Sequence, residues 1–335
     1  MDMKETNEFE TFFDKQPLNW RDRLIDMACI YPEIQYLLKC NGIEMFPLGD
    51  LIVIKGKAKK GKSHAILCFM IALLKGEFVG LEAIQDGITI LYVDTEMNPI
   101  NTFKMSRKVL KLCGFDMAIN NVRFVTMNLR GDNPSDRETM IEDAIKELKP
   151  TVLFVDGAKD LMVSDINDQA DASRVVNTLM RWTKEYNCAL CTVLHENKKD
   201  DSMRGAIGTE LLNKVAEAWQ ITRDSGGTFK MAQTDCRNRP VDGFSFMLDS
   251  TGEPVEVLNM PKVSAEERKA ERMKFLFKQC FDDASSLKYI ELRTMYEKVA
   301  ACKSTASGNA IKFAESVGLI SKNQAEMYIL SGIAT

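Results

Sequence analysis

The densest chemistry in the chain lies in "GKAKKGKS", which reads Gly56-x-x-x-x-Gly61-Lys62-Ser63. Glycines at that spacing let successive backbone N–H groups point into one concavity, and a following helix adds its own unpaired N–H groups. A cradle of this kind binds phosphates. Gly56, Lys57, Ala58, Lys59, Lys60, Gly61, Lys62, Ser63 and His64 are therefore the expected nucleotide contacts. Lys62 would reach the β and γ phosphates, and the Ser63 hydroxyl would ligate Mg²⁺. ATP and Mg²⁺ are the expected cofactors.

Three more residues close apolar runs and suit the rest of a hydrolytic site. Asp156 follows "TVLFV" and fits the acid that holds the Mg²⁺ shell. Glu96, in "YVDTEM", could polarise the attacking water as general base, with Asp94 as its rival. His195 closes "CALCTVLH", where a γ-phosphate contact would lie. A literal Asn197-Lys198-Lys199-Asp200 matches the NKxD that reads guanine in GTPases, so GTP remains an alternative. Against it, the Asp156 strand continues as "DGAK", with Lys159 where the GTPase DxxG carries glycine. Two additional strands also fall between Gly56 and Asp156.

Positioning such groups requires strands that end at one edge of a sheet. The β-branched run Leu51–Ile54 precedes the loop, and ten apolar residues, Ala65 to Leu74, follow it before Lys75-Gly76. That reads as buried strand, turn and buried helix. Further strands are expected at Ile88–Val93, "NVRFVTMNL", Thr151–Val155, "CALCTVLH", and about 217–223, 228–234 and 243–248. Helices are expected after Pro99, at Ser135–Leu148, over "ASRVVNTLMRWTKEYN", and after a polar loop at 196–205. Alternating strands and helices predict an α/β fold with a mostly parallel sheet covered on both faces. In such sheets ligands gather at the carboxyl ends of the strands, where the candidate acids fall.

The whole chain bounds these readings. Its 335 residues allow one large domain and a smaller one. A content of 45% hydrophobic and 27% charged residues is that of a soluble globular protein. The opening "MDMKETNEFE" is polar, and nine scattered cysteines argue against a disulfide framework, so a reduced, cytoplasmic protein without membrane partners is expected. Cys188 and Cys191 form a CxxC inside an apolar strand, an improbable zinc site in a chain with two histidines. Residues 262–335 carry 12 Lys+Arg against 9 Asp+Glu, while the remainder carries 32 against 39. Any nucleic acid would be held by local patches, not by the overall field.

Gly56–Ser63, "LYVDTEM", "LFVDG", "VLHENK…MRGAIGTELLNKVAEAW" and "DCRNRPVDGF" together resemble the RecA-like ATPases of the RepA and DnaB class, over about residues 40–250. The likeness is greatest to RepA-type ATPases of plasmids and mobile elements. It implies a RecA-like P-loop NTPase core that assembles as a homo-oligomeric ring, commonly a hexamer, and moves on single-stranded DNA in its channel. By that resemblance Glu96 matches the catalytic glutamate, Asp156 the magnesium-strand aspartate and His195 a γ-phosphate sensor. Arg204 falls in a loop facing DNA. Arg237 matches the arginine finger of a K-x-R pattern, with Arg239 as fallback. Asp235 stands where that pattern has lysine, a departure that leaves coupling through that lysine in doubt.

The expected organisation is an N-terminal helical cap or linker at 1–47, with one or two helices over residues 8–47 broken at Pro32, the ATPase domain at 48–255, and a small domain at 262–335. In the last, Ser264-x-x-Glu267 forms a capping box, and apolar positions 273, 276, 277, 280 and 281 mark a first helix. A second spans Tyr289–Ala300 and a third runs from Ser304 to Val317. Ala306, Ala310, Phe313, Ala314 and Val317 form its expected buried stripe, leaving Thr305, Asn309 and Lys312 outward. Two short strands joined at Lys322–Gln324 complete a winged-helix-like pattern that would contact double-stranded DNA. A small helical domain that binds proteins is the other reading. For function, a DNA helicase or motor of a mobile element leads, against a DNA-binding regulator or loader that does not unwind.

Overall fold

The computed structural model describes residues 19–30, 32–197, 200–257, 273–274, 276–281, 284–300 and 304–331. Two units are separated between Gln35 and Tyr36. In the first, the described residues hold one 3-10 turn, Trp20–Arg23, capped by the Asn19 side chain.

The second unit begins with a hairpin, β1 (Tyr36–Cys40) and β2 (Ile43–Pro47). Asn41 and Gly42 join them, both with positive φ, which matches the right-handed twist of the flanking strands. This corrects the helical expectation for residues 8–47: 36–47 is β structure within the larger unit. Residues 8–18 lie outside the described ones. Then follow β3 (Leu51–Gly56), α1 (Lys62–Lys75), β4 (Glu77–Phe78), β5 (Leu81–Ala83), β6 (Ile90–Asp94), α2 (Pro99–Cys113) and β7 (Phe124–Asn128). Next come α3 (Pro134–Leu148), β8 (Val152–Asp156), α4 (Gln169–Tyr186), β9 (Ala189–His195) and α5 (Gly205–Lys214). β10 (Glu217–Arg223), β11 (Phe229–Cys236), β12 (Phe244–Leu248) and β13 (Pro254–Glu256) close the domain. Asn98, Asn133 and Asp168 cap α2, α3 and α4, the first two followed by proline at the helix start.

A nine-stranded sheet runs β13-β12-β11-β10-β3-β9-β8-β6-β7. β10 through β7 in that order are parallel; β11, β12 and β13 are antiparallel. Two-residue alternation divides each central strand between two cores. Ile52 and Ile54 pack with α1, whereas Leu51 and Val53 pack with α3, α4 and α5. Continuous apolar runs such as "VLFV" are what a strand buried on both faces needs. The fold is thus the RecA-like P-loop core expected from the sequence.

Helix α1 has no polar face between Ala65 and Leu74 because a second layer covers it. β2, β1, β5 and β4 form an antiparallel sheet whose Leu37, Leu38, Met45, Phe46 and Leu81 join the α1 core. Glu217 ties this layer to the main sheet, accepting the Phe46 N–H at 2.8 Å and the Trp219 indole N–H at 2.9 Å. Phe46 holds φ 63°, a costly conformation for a bulky residue that this buried carboxylate pins.

On the other face, Glu142 of α3 gathers four donors from α4. Arg181 reaches both its oxygens, at 2.6 and 2.8 Å, with the Trp182 indole at 3.1 Å and the Tyr186 hydroxyl at 2.8 Å. These bonds hold the Glu142 carboxyl down to about 2, the Arg181 guanidinium first among the causes. Its folded value lies below its ordinary one, so its stabilisation is full above about pH 4.5 and is lost as pH falls toward 2. Glu142→Gln is expected to cost about 1 kcal/mol at neutral pH, solvent screening of Arg181 keeping the figure low. Urea melts at pH 7 and pH 3 check this: the gap between variant and wild type should narrow at the lower pH.

The C-terminal residues have a core of their own, with Met273, Phe277, Cys280, Leu292, Tyr296, Ile311 and Tyr328 buried in it. Residues 276–280 are helical. They lead to α6 (Tyr289–Ala300), α7 (Ser304–Ser316), β14 (Ile320–Lys322) and β15 (Tyr328–Leu330). Leu287 exchanges two backbone hydrogen bonds with Tyr328, adding a third rung to the hairpin. Helix, bridge, two helices and hairpin give the winged-helix order. The capping box at 264–267 lies outside the described residues. The buried stripe of α7 is Ser307, Ala310, Ile311 and Ala314; Ala306 and Val317 are exposed. Ser307 is admitted because its hydroxyl has two acceptors in reach, Glu297 Oε1 at 2.7 Å and the Ser304 carbonyl at 2.8 Å.

Among the described residues no helix is long and apolar enough to cross a membrane. Cys188 and Cys191 are buried free thiols, and no cluster of metal ligands occurs among the described residues.

Candidate active site

The phosphate loop joins β3 to α1. Gly61 holds φ 99° and stands against the Phe229 ring, which a Cβ at this position would meet at 2.4 Å. At Gly56 a Cβ would come within 2.7 Å of the Ile221 side chain. Gly61 is therefore required by its backbone conformation and by close packing against β11, and Gly56 by close packing against β10. Lys62 is buried, and its ammonium donates to the carbonyls of Gly56 at 2.9 Å and Lys57 at 3.2 Å. Burial lowers its pKa, while the charges of Glu96, Asp156 and Glu196 oppose that fall. The Ser63 hydroxyl donates to Asp156 Oδ2 at 3.1 Å.

Strand order assembles the rest. β3, β9, β8 and β6 are neighbours, so their carboxyl ends line one edge. Gly56 lies opposite His195, and Asp94 opposite Asp156. His195 Nδ1 is 2.9 Å from Lys62 Nζ, and its Nε2 is 3.4 Å from Glu96 Oε1. An ammonium can only donate, so Nδ1 accepts and the ring proton sits on Nε2, facing Glu96. Lys62, His195 and Glu96 form one chain across the mouth of the loop. The Glu96 carboxyl is held below its usual value, first by its hydrogen bond to His195 and then, against desolvation, by the positive charge of Lys62.

Asp94 and Glu96, the two candidates for general base, differ in burial. Asp94 is fully buried; its Oδ1 accepts the N–H groups of Glu96 and Met97 at 3.0 and 2.9 Å, and its Oδ2 accepts the Thr102 hydroxyl at 2.5 Å. It builds the turn that presents Glu96, whose side chain remains part-exposed. Asp156 is buried, and its carboxyl is pushed up to about 7 by burial and then by Glu96 and Asp94. Ser63 hydroxyl and Asp156 carboxylate are hard oxygen donors side by side, a set that fits Mg²⁺.

Several supporting residues escaped the sequence reading. Thr95 donates to the Asp156 carbonyl at 2.8 Å and lies 2.9 Å from Asp160 Oδ2. Gly157, at φ 120°, is required beneath it, since a Cβ there would meet Thr95 Oγ1 at 2.3 Å. Buried Glu196 accepts from Gln220 at 2.6 Å, with its own N–H on the Gly56 carbonyl at 3.2 Å. Only Thr95, a small polar residue between two acids, carried a legible signal.

The other expected residues scatter. Lys57, Ala58, Lys59 and Lys60 are exposed on the loop, and Lys57 pairs with Asp201 at 3.4 Å. His64 packs on Phe229, and burial lowers its pKa, reinforced by Lys108 and Arg223. Arg204 starts α5 with its N–H on the His195 carbonyl at 2.9 Å. Asn197 and Asp200 bond to Ser202 within their own turn, while Lys198 and Lys199 lie outside the described residues. Arg237 is not brought to the loop of its own chain. Cys236 pairs with Glu217, which lies beside Ile52 at the amino end of β3, roughly 13 Å of strand from Gly56. Its guanidinium donates to the carbonyls of Asn213, Lys214 and Val215, capping α5. Asp235 sits opposite Ala218. Thr305, Asn309 and Lys312 are exposed on α7.

A family model described as an AAA domain matches residues 18–201, more than half of the 335 residues. No curated protein matches the chain. The matched span holds the phosphate loop, Glu96, Asp156 and His195.

Proposed function

The chain belongs to the AAA-domain family, a nucleotide-hydrolysing P-loop ATPase, and from that premise we propose a Mg²⁺-dependent motor that assembles as a ring and acts on DNA. The observation that carries the hydrolytic half is the chain Lys62–His195–Glu96 beside the pair Ser63–Asp156. Lys62 pairs with no carboxylate among the described residues and is positioned to exchange loop carbonyls for phosphate oxygens. Glu96, ionised and part-exposed, takes the proton of the attacking water. His195 keeps the two apart and reports the presence of the γ-phosphate to Arg204, whose N–H its carbonyl holds. Mg²⁺, held through Ser63 and Asp156, would neutralise charge on the phosphates.

The DNA half rests on the resemblance to RepA- and DnaB-class ATPases and on the winged-helix order at the C-terminus. Thr305, Asn309 and Lys312 point outward from α7, the helix that would read double-stranded DNA, and Arg204 would face a single strand. That second domain also favours the rival reading, an ATP-controlled regulator or loader. ATPase assays with single- and double-stranded DNA, paired with strand displacement, separate them. The motor reading expects several-fold stimulation by single strands and unwinding. Stimulation without unwinding supports the loader, and no stimulation by any DNA removes the motor. Adenine preference is expected over guanine, because Asn197 and Asp200 bond within their own turn; tighter binding of GTP in competition would reverse it.

A further inference from the structure

Tyr92 is a fully buried residue of β6, and the hydrolytic scheme above gives it no part. Its cross-strand partner on β8 is Phe154, so Asp156, two residues on, projects from the same face. The long tyrosine side chain spans that diagonal between the two parallel strands. The Tyr92 hydroxyl lies 3.3 Å from Asp156 Oδ2, with the Met105 sulfur of α2 at 3.6 Å as the other acceptor. A buried phenol needs a partner, and its single proton goes preferentially to the carboxyl oxygen, a better acceptor than a thioether sulfur. Ser63 donates to the same Oδ2 at 3.1 Å. Among the described residues no hydrogen bond reaches Oδ1.

We propose that Tyr92 is a positioning residue for the metal site: with Ser63 it fixes Oδ2 of Asp156, so that Oδ1 alone is presented to the Mg²⁺ shell. One donor would leave the carboxylate free to rotate about its χ2 bond. Two donors from different elements, α1 and β6, hold its plane. This depends on Asp156 serving Mg²⁺, as proposed above. A phenylalanine would satisfy the packing around Phe154 equally well, so the hydroxyl is the part of Tyr92 that the core does not require.

The test is Tyr92→Phe in the full chain, read by binding of a fluorescent ATP analogue across a Mg²⁺ titration and in EDTA. Outer-shell partners of metal ligands are worth roughly 10–100-fold in metal affinity. With Ser63 still in place, the Mg²⁺ half-saturation is expected to rise about fivefold to tenfold. Affinity in EDTA and the melting temperature should match wild type. Unchanged half-saturation overturns the proposal, and so does an equal loss of affinity with and without Mg²⁺, which would mark a packing effect. Met105→Leu removes the competing acceptor. It should leave the half-saturation unchanged, and a shift as large as that of Tyr92→Phe would overturn the proposal as well. Asp156→Asn separates the underlying reading: if it keeps wild-type Mg²⁺ dependence, the metal site itself is misassigned, whatever Tyr92 does.

Discussion

Glu96→Gln is expected to bind ATP with near wild-type affinity and to hydrolyse it at least about 100-fold more slowly, the low end for loss of a general base. The amide fills the same space and can still accept from His195 Nε2, so the chain from Lys62 through His195 survives. What disappears is the group that can take a proton. Asp94 cannot replace it, because both its oxygens are engaged in holding the turn. Lys62→Ala should differ in kind. It removes the charge that meets the β and γ phosphates and unties His195, so turnover and ATP affinity should fall together. Equilibrium binding of a fluorescent ATP analogue and phosphate release measure the two effects separately. Wild-type hydrolysis by Glu96→Gln would remove Glu96 from the mechanism.

The second large effect is expected at Arg237, which the proposed ring would offer to a neighbouring subunit. Arg237 lies at the far edge of the sheet from the phosphate loop of its own chain, so any catalytic service it gives must go to another copy. A guanidinium can fork onto γ-phosphate oxygens as charge builds, and such fingers are worth roughly 10³–10⁵ in rate where GTPases use them. Arg237→Ala should therefore lose most ATPase activity and keep ATP binding. Mixed with Lys62→Ala, which has the reverse defect, it should recover activity that neither shows alone. Because Arg237 also caps α5, its melting temperature must be followed alongside. A fall in melting temperature with full activity would leave it a helix cap only. Arg239, exposed and without a hydrogen bond or ion pair among the described residues, is then the arginine left to reach across. Arg239→Ala in the same mixing experiment tells the two apart.

By itself, the sequence determined the phosphate-loop motif, the α/β class and which acids follow the central strands. These are local matters: the spacing of Gly56, Gly61, Lys62 and Ser63 advertises a phosphate loop, and "TVLFVD" advertises a buried strand ending in a charge. Every strand of the nucleotide site could be placed from its apolar run. The hairpin at 36–47 could not, although Asn41-Gly42 is a turn signal, because its apolar residues serve a layer over α1 that no local pattern reveals. The buried stripe of α7 differs from the expected one for a related reason: Ala306 and Val317 are exposed while Ser307 and Ile311 are buried, and Ser307 is admitted by hydrogen bonding near Glu297 and Ser304, which an apolar count overlooks. Only the tertiary structure shows how differently Asp94 and Glu96 are set. Two acids two residues apart on a strand end are equivalent in sequence, and burial makes one an anchor and leaves the other able to work. Tertiary structure also set the order β3-β9-β8-β6, which turns residues 56, 195, 156 and 96 into neighbours. That order follows from how helices cover both faces of a parallel sheet. Contacts of that range are carried by no stretch of chain short enough to read.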